Sequence, residues 1–478
     1  MAVSDPAFKP GDGQDGWARL APGTSIFSMP GISLAAPNSD RGAIARRLLP
    51  SLVLLACLLI VAALWIGGAH DAYFALLRAL GVPAFRFPFL DTHGELAVID
   101  CHRRGIDVYL SNPCDALGRV HVYTPLWFGL AFLPVDTSWT PMVGCGLALA
   151  FVASLLLLPL GRDWRAACMM CAAALSPAVA FAIERGNADL LMFILAALAG
   201  WLAVWRLPTR LLAFPLVLLA TALKVYPATL LILALRERLR LCLTIAALSL
   251  AALPAYAAAD AAGLREMLAV VPGGTPFIYT FGIRNLSVGL GAAFGWPPAA
   301  LAAMQGVSLM AVVIFAASRL EVLRPPVRAL RTAEAIGLTV GAASILGCFV
   351  MGQSGEYRAV HLLFELPALA ALAAASGPAG RLSAATAWVI LAQLRGDLAS
   401  APLDRLGGTA AGDAVVSGAT MLLWLARELA WWWIVAMLLA LLLAVLLDLP
   451  SVTAQRSRRV SLSPPTAAPG WRQGGHER

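Results

Sequence analysis

The chain has 478 residues, of which 60% are hydrophobic and only 13% charged. Average soluble domains carry about 25% charge, so a water-soluble core is excluded and the class is an all-α polytopic membrane protein. The formal net charge of +8 does not indicate nucleic-acid binding, because the basic residues are scattered between apolar runs, as in cytoplasmic loops.

Residues 1–47 read as a disordered cytoplasmic tail, rich in Gly, Pro, Ser and Asp and without the apolar core of a cleavable signal. Arg41, Arg46 and Arg47 precede a first apolar run, about Leu48–Gly68, that is long enough to span a bilayer. The arginines place its N-terminus in the cytoplasm. A long extracytoplasmic loop, residues 69–122, follows. It gathers Asp91, His93, Glu95, Asp100, Cys101, His102, Asp107, Tyr109, Asn112, Cys114, Asp115 and Arg119 into one interval. Any of Asp91, Asp100, Asp107 and Asp115 can act as a base toward a hydroxyl, or be an ordinary solvated charge. Asp91 stands out, because the largely apolar Phe85–Leu90 can seat it at membrane level. Cys101 and Cys114 enclose a short loop and are either a bracing disulfide or two free thiols.

Tyr123–Val135 is apolar but short, interfacial or re-entrant rather than spanning. Thr140–Gly161 returns to Arg162, Asp163 and Arg165. Ala166–Ile183 goes out and ends at Glu184-Arg185-Gly186-Asn187-Ala188-Asp189, which is either a capped turn or a second polar wall of a site. Leu190–Trp205 comes back to Arg206 and Arg210. Leu211–Leu235 is apolar with arginines at both ends and Lys224-Val225-Tyr226-Pro227 in its middle. A charge at the bilayer centre is costly and Pro breaks a helix. The stretch is therefore expected to be two short helices in a hairpin whose tip lines a polar cavity.

Leu241–Ala259 goes out to a second outer segment, Asp260–Pro298, which contains Arg284. Ala299–Ala317 returns to Arg319, Arg324, Arg328 and Arg331, and Ala333–Met351 goes out to Gly352–Arg358. His361–Ser376, Ser383–Leu394 and Trp431–Leu449 complete a core of about ten or eleven spans over 48–449. Residues 450–478 read as a second disordered cytoplasmic tail. The distinctive polar clusters all fall on the outer face, which points to a site at that membrane–water boundary. Lys224 within an apolar run is a functional residue unless it snorkels. Arg284 and Arg358 suit phosphate or lipid headgroups, and His361 lies one turn after Arg358. No internal repeat and no metal-ligand cluster is apparent, so neither metal nor cofactor is expected.

The order of these features is an Asp in the first outer loop, then Gly105-x-Asp107-Val108-Tyr109, Tyr123-Thr-Pro-Leu-Trp127, Gly186-Asn187-x-Asp189, Ala222-Leu-Lys-Val-Tyr-Pro227 and Tyr357-Arg358-x-x-x-Leu362-Leu363. This order resembles the GT-C superfamily of membrane glycosyltransferases. It is most similar to glycosyltransferase family 87, the polyprenyl-phosphate-mannose-dependent α-mannosyltransferases, over about Leu48–Ser376. The resemblance implies a GT-C-like bundle and a multi-pass protein of the bacterial inner (plasma) membrane. It implies inverting transfer of a hexose, mannose foremost, from a polyprenyl-phosphate donor to a glycolipid or glycan acceptor on the outer face.

The family's first-loop general base falls on Asp91, with Asp100 as the fallback. Lys224 matches the Lys between the short helices, beside Tyr226. Asn187 matches the Asn of the family's Gly-Gln-x-Asn, which here reads Glu184-Arg185-Gly186-Asn187. Asp100, Glu184, Asn187, Lys224, Tyr226, Arg284, Arg358 and His361 would then bind substrate, and the Cys101–Cys114 pair lies outside the family pattern. The competing reading is a membrane transporter or lipid flippase, which the absence of repeats and the one-sided polar residues disfavour.

Overall fold

The computed structural model describes residues 41–160, 163–271, 280–396 and 418–448. Most of the first tail and all of the second lie outside the described residues, as does the centre of the Asp260–Pro298 segment. Helix α1 (Arg41–Ile66) starts at Arg41, so the arginines assigned to the tail form its opening turns. Residues 69–122, expected as an outer loop, are largely helical. They hold α2 (His70–Ala79) and α3 (Leu90–Arg103), followed by a 3₁₀ helix over Pro125–Phe132. Helix α3 buries Leu90, Leu96, Ala97, Val98, Ile99 and Cys101 beneath its polar face.

Helix α4 (Thr140–Ser154) crosses next. The run expected as a single helix over 166–183 is instead α5 (Trp164–Ala174) and α6 (Pro177–Arg185), bent by 51°. Ser176 caps α6 and Pro177 occupies its first position, which ends α5 and opens a new axis. Helix α7 (Ala188–Val204) and the short α8 (Leu207–Leu211) lead to α9 (Ala213–Leu223). A 3₁₀ helix over Tyr226–Arg236 packs back on α9. The expected hairpin is present, broken at Lys224-Val225.

Beyond it come α10 (Leu239–Ala259), α11 (Ala261–Val270), α12 (Asn285–Phe294), α13 (Pro298–Arg328) and α14 (Thr332–Val350). After a 3₁₀ helix over Glu356–Phe364 follow α15 (Leu366–Ala373), α16 (Pro378–Gln393) and α17 (Gly418–Leu447). Strands β1 (Thr280–Phe281) and β2 (Ser354–Gly355) pair antiparallel.

Among the described residues, 6 helices are long and apolar enough to cross a membrane, or 7 if α5 and α6 form one bent span. Other segments expected as spans are shorter apolar helices, among them α7 and the two arms of the hairpin. The protein is an all-α polytopic membrane protein. Helix α14 is its axis: 78% of its apolar window is buried in protein, against 11% for α10 and for α13. Small residues allow this. A Cβ on Gly347 would meet Thr229 Oγ1 at 2.9 Å, and one on Gly200 of α7 would meet Val340 at 3.2 Å. Close backbone approach through small residues is how helices associate without a hydrophobic drive between them.

Candidate functional site

Asp91 is placed by its neighbour Phe89. Phe89 is the one non-glycine residue with positive φ among the described residues, at 65°, a conformation that costs a bulky side chain energy. Its N–H donates to the Glu184 carbonyl at 2.6 Å, and its ring fills space that a Cβ on Gly144 would occupy. Gly186 ends α6 in the left-handed region, φ 56°, where its missing Cβ admits Thr92. Thr92 Oγ1 donates to the Gly186 carbonyl at 2.8 Å. These contacts dock the start of α3 on the α6–α7 turn.

Asp91 thereby meets three donors. Arg119 Nη1 donates to Oδ1 at 2.8 Å, Arg185 donates to the same oxygen, and Asn187 Nδ2 donates to Oδ2 at 2.7 Å. Arg185 is also held by Phe85, whose ring centre lies 4.4 Å from the guanidinium carbon. Arg119 is fixed by Asp115, with Nε to Oδ2 at 2.9 Å and Nη2 to Oδ1 at 3.0 Å. It fits beside α3 because position 94 is glycine, where a Cβ would come within 2.7 Å of Nη2. The Cys101–Cys114 disulfide is formed. It anchors to α3 the loop that carries Asp115 and Arg119.

Asn187 caps α7, its Oδ1 accepting from the Asp189 N–H at 2.9 Å. Asp189 sits in the first turn of α7, where the helix dipole favours an anion. Its buried carboxylate accepts from Lys224 Nζ at 2.8 Å and from the Tyr226 hydroxyl at 2.8 Å, and Arg358 Nε lies 3.5 Å away. His361 Nε2 lies 2.7 Å from the same hydroxyl. Arg358 also donates to Ser354 Oγ at 2.8 Å. Lys224 packs over the Tyr123 ring at 4.5 Å.

The Tyr-Thr-Pro-Leu-Trp segment explains how a helix can end at this point. Thr124 Oγ1 donates to the Ala222 carbonyl at 2.6 Å and Trp127 Nε1 to that of Leu223 at 3.4 Å. Both satisfy carbonyls that the break in the hairpin leaves without helical partners.

The structure thus brings together Asp91, Asn187, Lys224, Tyr226, Arg358 and His361. Asp100 does not belong with them. It lies at the other end of α3, paired with Arg103 at 3.5 Å and accepting from Thr137 N–H at 3.4 Å, so its place as fallback base is corrected to a surface brace. Arg284 precedes α12 with an exposed side chain and has no ion pair with the cluster among the described residues. Glu184 is buried beside the site, but its carboxyl has no side-chain hydrogen-bond partner among the described residues. It contributes through its backbone carbonyl.

Four residues of the site were not among the expected binding residues: Asp189, Arg119, Arg185 and Glu95. Partial burial, with the inner oxygen Oε2 shut off from solvent, pushes Glu95 up to about 8, with Lys224 and Arg119 opposing. Burial pushes its neighbour His121 down to about 4. Chemically, the arrangement offers a carboxylate beside cations that could hold an anion. No family model, no curated protein and no solved structure matches the chain.

Proposed function

We propose that this protein is an integral-membrane glycosyltransferase of GT-C type. It transfers a hexose, mannose foremost, from a polyprenyl-phosphate donor to an acceptor hydroxyl on the extracytoplasmic face, with the N-terminus in the cytoplasm. The observation that carries this reading is the junction at Asn187. Its side chain binds Asp91, and two residues later Asp189 binds Lys224, Tyr226 and Arg358. A carboxylate and a set of cations of the kind that binds phosphate therefore meet on elements far apart in sequence.

Asp91 Oδ2 takes one hydrogen bond, from Asn187, so a lone pair remains for the acceptor hydroxyl. Lys224 and Arg358 hold the donor phosphate and stabilise the charge that develops as the glycosidic bond breaks. Their release from Asp189 toward the phosphate is the rearrangement that binding requires.

The test is transfer from labelled polyprenyl-phosphate-mannose to a crude lipid acceptor pool by purified protein. Asp91→Asn is expected to lose about 10²–10⁴-fold in rate, the usual range for a general base. Equal turnover in both would remove Asp91 as the base. Lipid translocation without any sugar transfer would favour the flippase reading instead.

A further inference from the structure

Asp91 is not the only carboxyl group on its face of α3. Glu95 lies one turn on, so the two side chains are neighbours on the helix surface. Their surroundings differ sharply. Asp91 accepts from two guanidiniums and an amide. Glu95 Oε2 is buried with no hydrogen-bond partner among the described residues, and His121 Nδ1 lies 3.7 Å from it. His121 Nε2 faces the Thr124 carbonyl at 3.5 Å. A proton on Nε2 suits that carbonyl and leaves Nδ1 as an acceptor. A protonated Glu95 complements Nδ1, whereas an ionised one would set a buried lone pair against another. The raised Glu95 and lowered His121 values agree with this geometry. The charged and titratable groups facing Glu95 are Asp91 on its own helix, then Asp115, Arg119, His121 and Tyr123 in the following loop, and Lys224 at the hairpin.

We infer that Glu95 is the acid of the site, held neutral against His121 and delivering its proton to the phosphate that leaves the sugar. This role rests on the glycosyl-transfer reading above. Two carboxyl groups driven to different protonation states by their surroundings are the usual basis of an acid–base division of labour. The acceptor oxygen bonds to the anomeric carbon while its proton passes to Asp91. The bond from the anomeric carbon to the phosphate oxygen breaks, and its electron pair stays on that oxygen. The Glu95 proton goes to the departing phosphate, leaving a carboxylate. Return of the proton from Asp91 to Glu95, one turn along α3, restores the pair.

Infrared difference spectra of the detergent-solubilised full chain, wild type minus Glu95→Gln, read the protonation state without any need for turnover. The expected result near neutral pH is a protonated-carboxyl band that is absent from the variant and fades as pH rises through about 8. In the transfer assay the wild-type rate should fall over the same interval, because an acid works only below its pKa. Glu95→Gln should be slower by about 10²-fold or more and should lack that alkaline limb. Glu95→Asp, which keeps an acid, should retain part of both. An ionised Glu95 near neutral pH overturns the proposal and leaves glycosyl transfer standing. So does a Glu95→Gln protein with the wild-type rate and pH profile. A wild type that transfers no sugar, even with the band present, removes the transfer reading and this role together.

Discussion

Lys224 is an ammonium group buried in an apolar hairpin, and such a group needs a buried counter-charge. Asp189 supplies it, and the Tyr226 hydroxyl completes the carboxylate's bonding. Removing one partner of a buried pair strands the other. Asp189→Asn is therefore expected to cost about 3–5 kcal/mol, seen as a lowered thermal midpoint in detergent. Tyr226→Phe should cost about 1 kcal/mol. An Asp189→Asn midpoint equal to wild type would mean that Lys224 does not depend on this partner. The sequence contains the signal for this pair, since a lysine inside an apolar run implies an anion, and Asp189 opens a helix that is otherwise apolar. What it cannot reveal is which acidic residue the fold brings to the lysine. Nor can it show that Asp100, nine positions beyond Asp91 on a helix rising about 1.5 Å per residue, stands well apart from the site.

The hairpin and α3 differ in how readily each can be read from sequence. Lys-Val-Tyr-Pro between two apolar arms, with arginines at both ends, leaves few alternatives to a break, and the break is where it was expected. Helix α3 resembles a loop in sequence because its polar residues hide the apolar stripe and Gly94 interrupts it. That glycine is explained by Arg119, a partner remote in sequence. Ser-Pro within an apolar run resembles a tolerated kink, whereas at the α5–α6 bend Ser176 caps a new helix. The disulfide belongs to the same scale. Replacing Cys101 and Cys114 by Ala should cost about 2–4 kcal/mol, the usual range for a bridge over a short loop. It should also loosen Arg119 from Asp91, so the transfer rate should fall even where the fold survives. Unchanged midpoint and rate in the double variant would remove the bridge from any supporting role.

At the scale of the molecule, the all-α polytopic class follows from composition, and the structure agrees with it. The arrangement around α14 does not follow from composition, because the spans are similarly apolar whether they face protein or lipid. Their small residues separate them only once the partners are known. A spin label at Leu250 of α10 or Met310 of α13, both exposed, should be quenched by oxygen dissolved in the bilayer. A label at Ile345 of α14, fully buried, should be shielded or should disrupt the fold. Equal quenching at all three positions would contradict α14 as the axis.

The cluster that joins Asp91 to Asp189 also carries a charge balance. Arg119, Arg185, Lys224 and Arg358 stand against the carboxylates of Asp91, Asp115 and Asp189. Four cations facing three anions leave one unit of positive charge, provided Glu95 and the buried Glu184 stay neutral. A singly charged phosphodiester would cancel that unit, whereas a doubly charged phosphate monoester would overshoot it. On the glycosyl-transfer reading the balance stays at zero while the acceptor's proton remains in the site, and loss of that proton leaves a doubly charged carrier in excess, which favours its release over that of the intact donor.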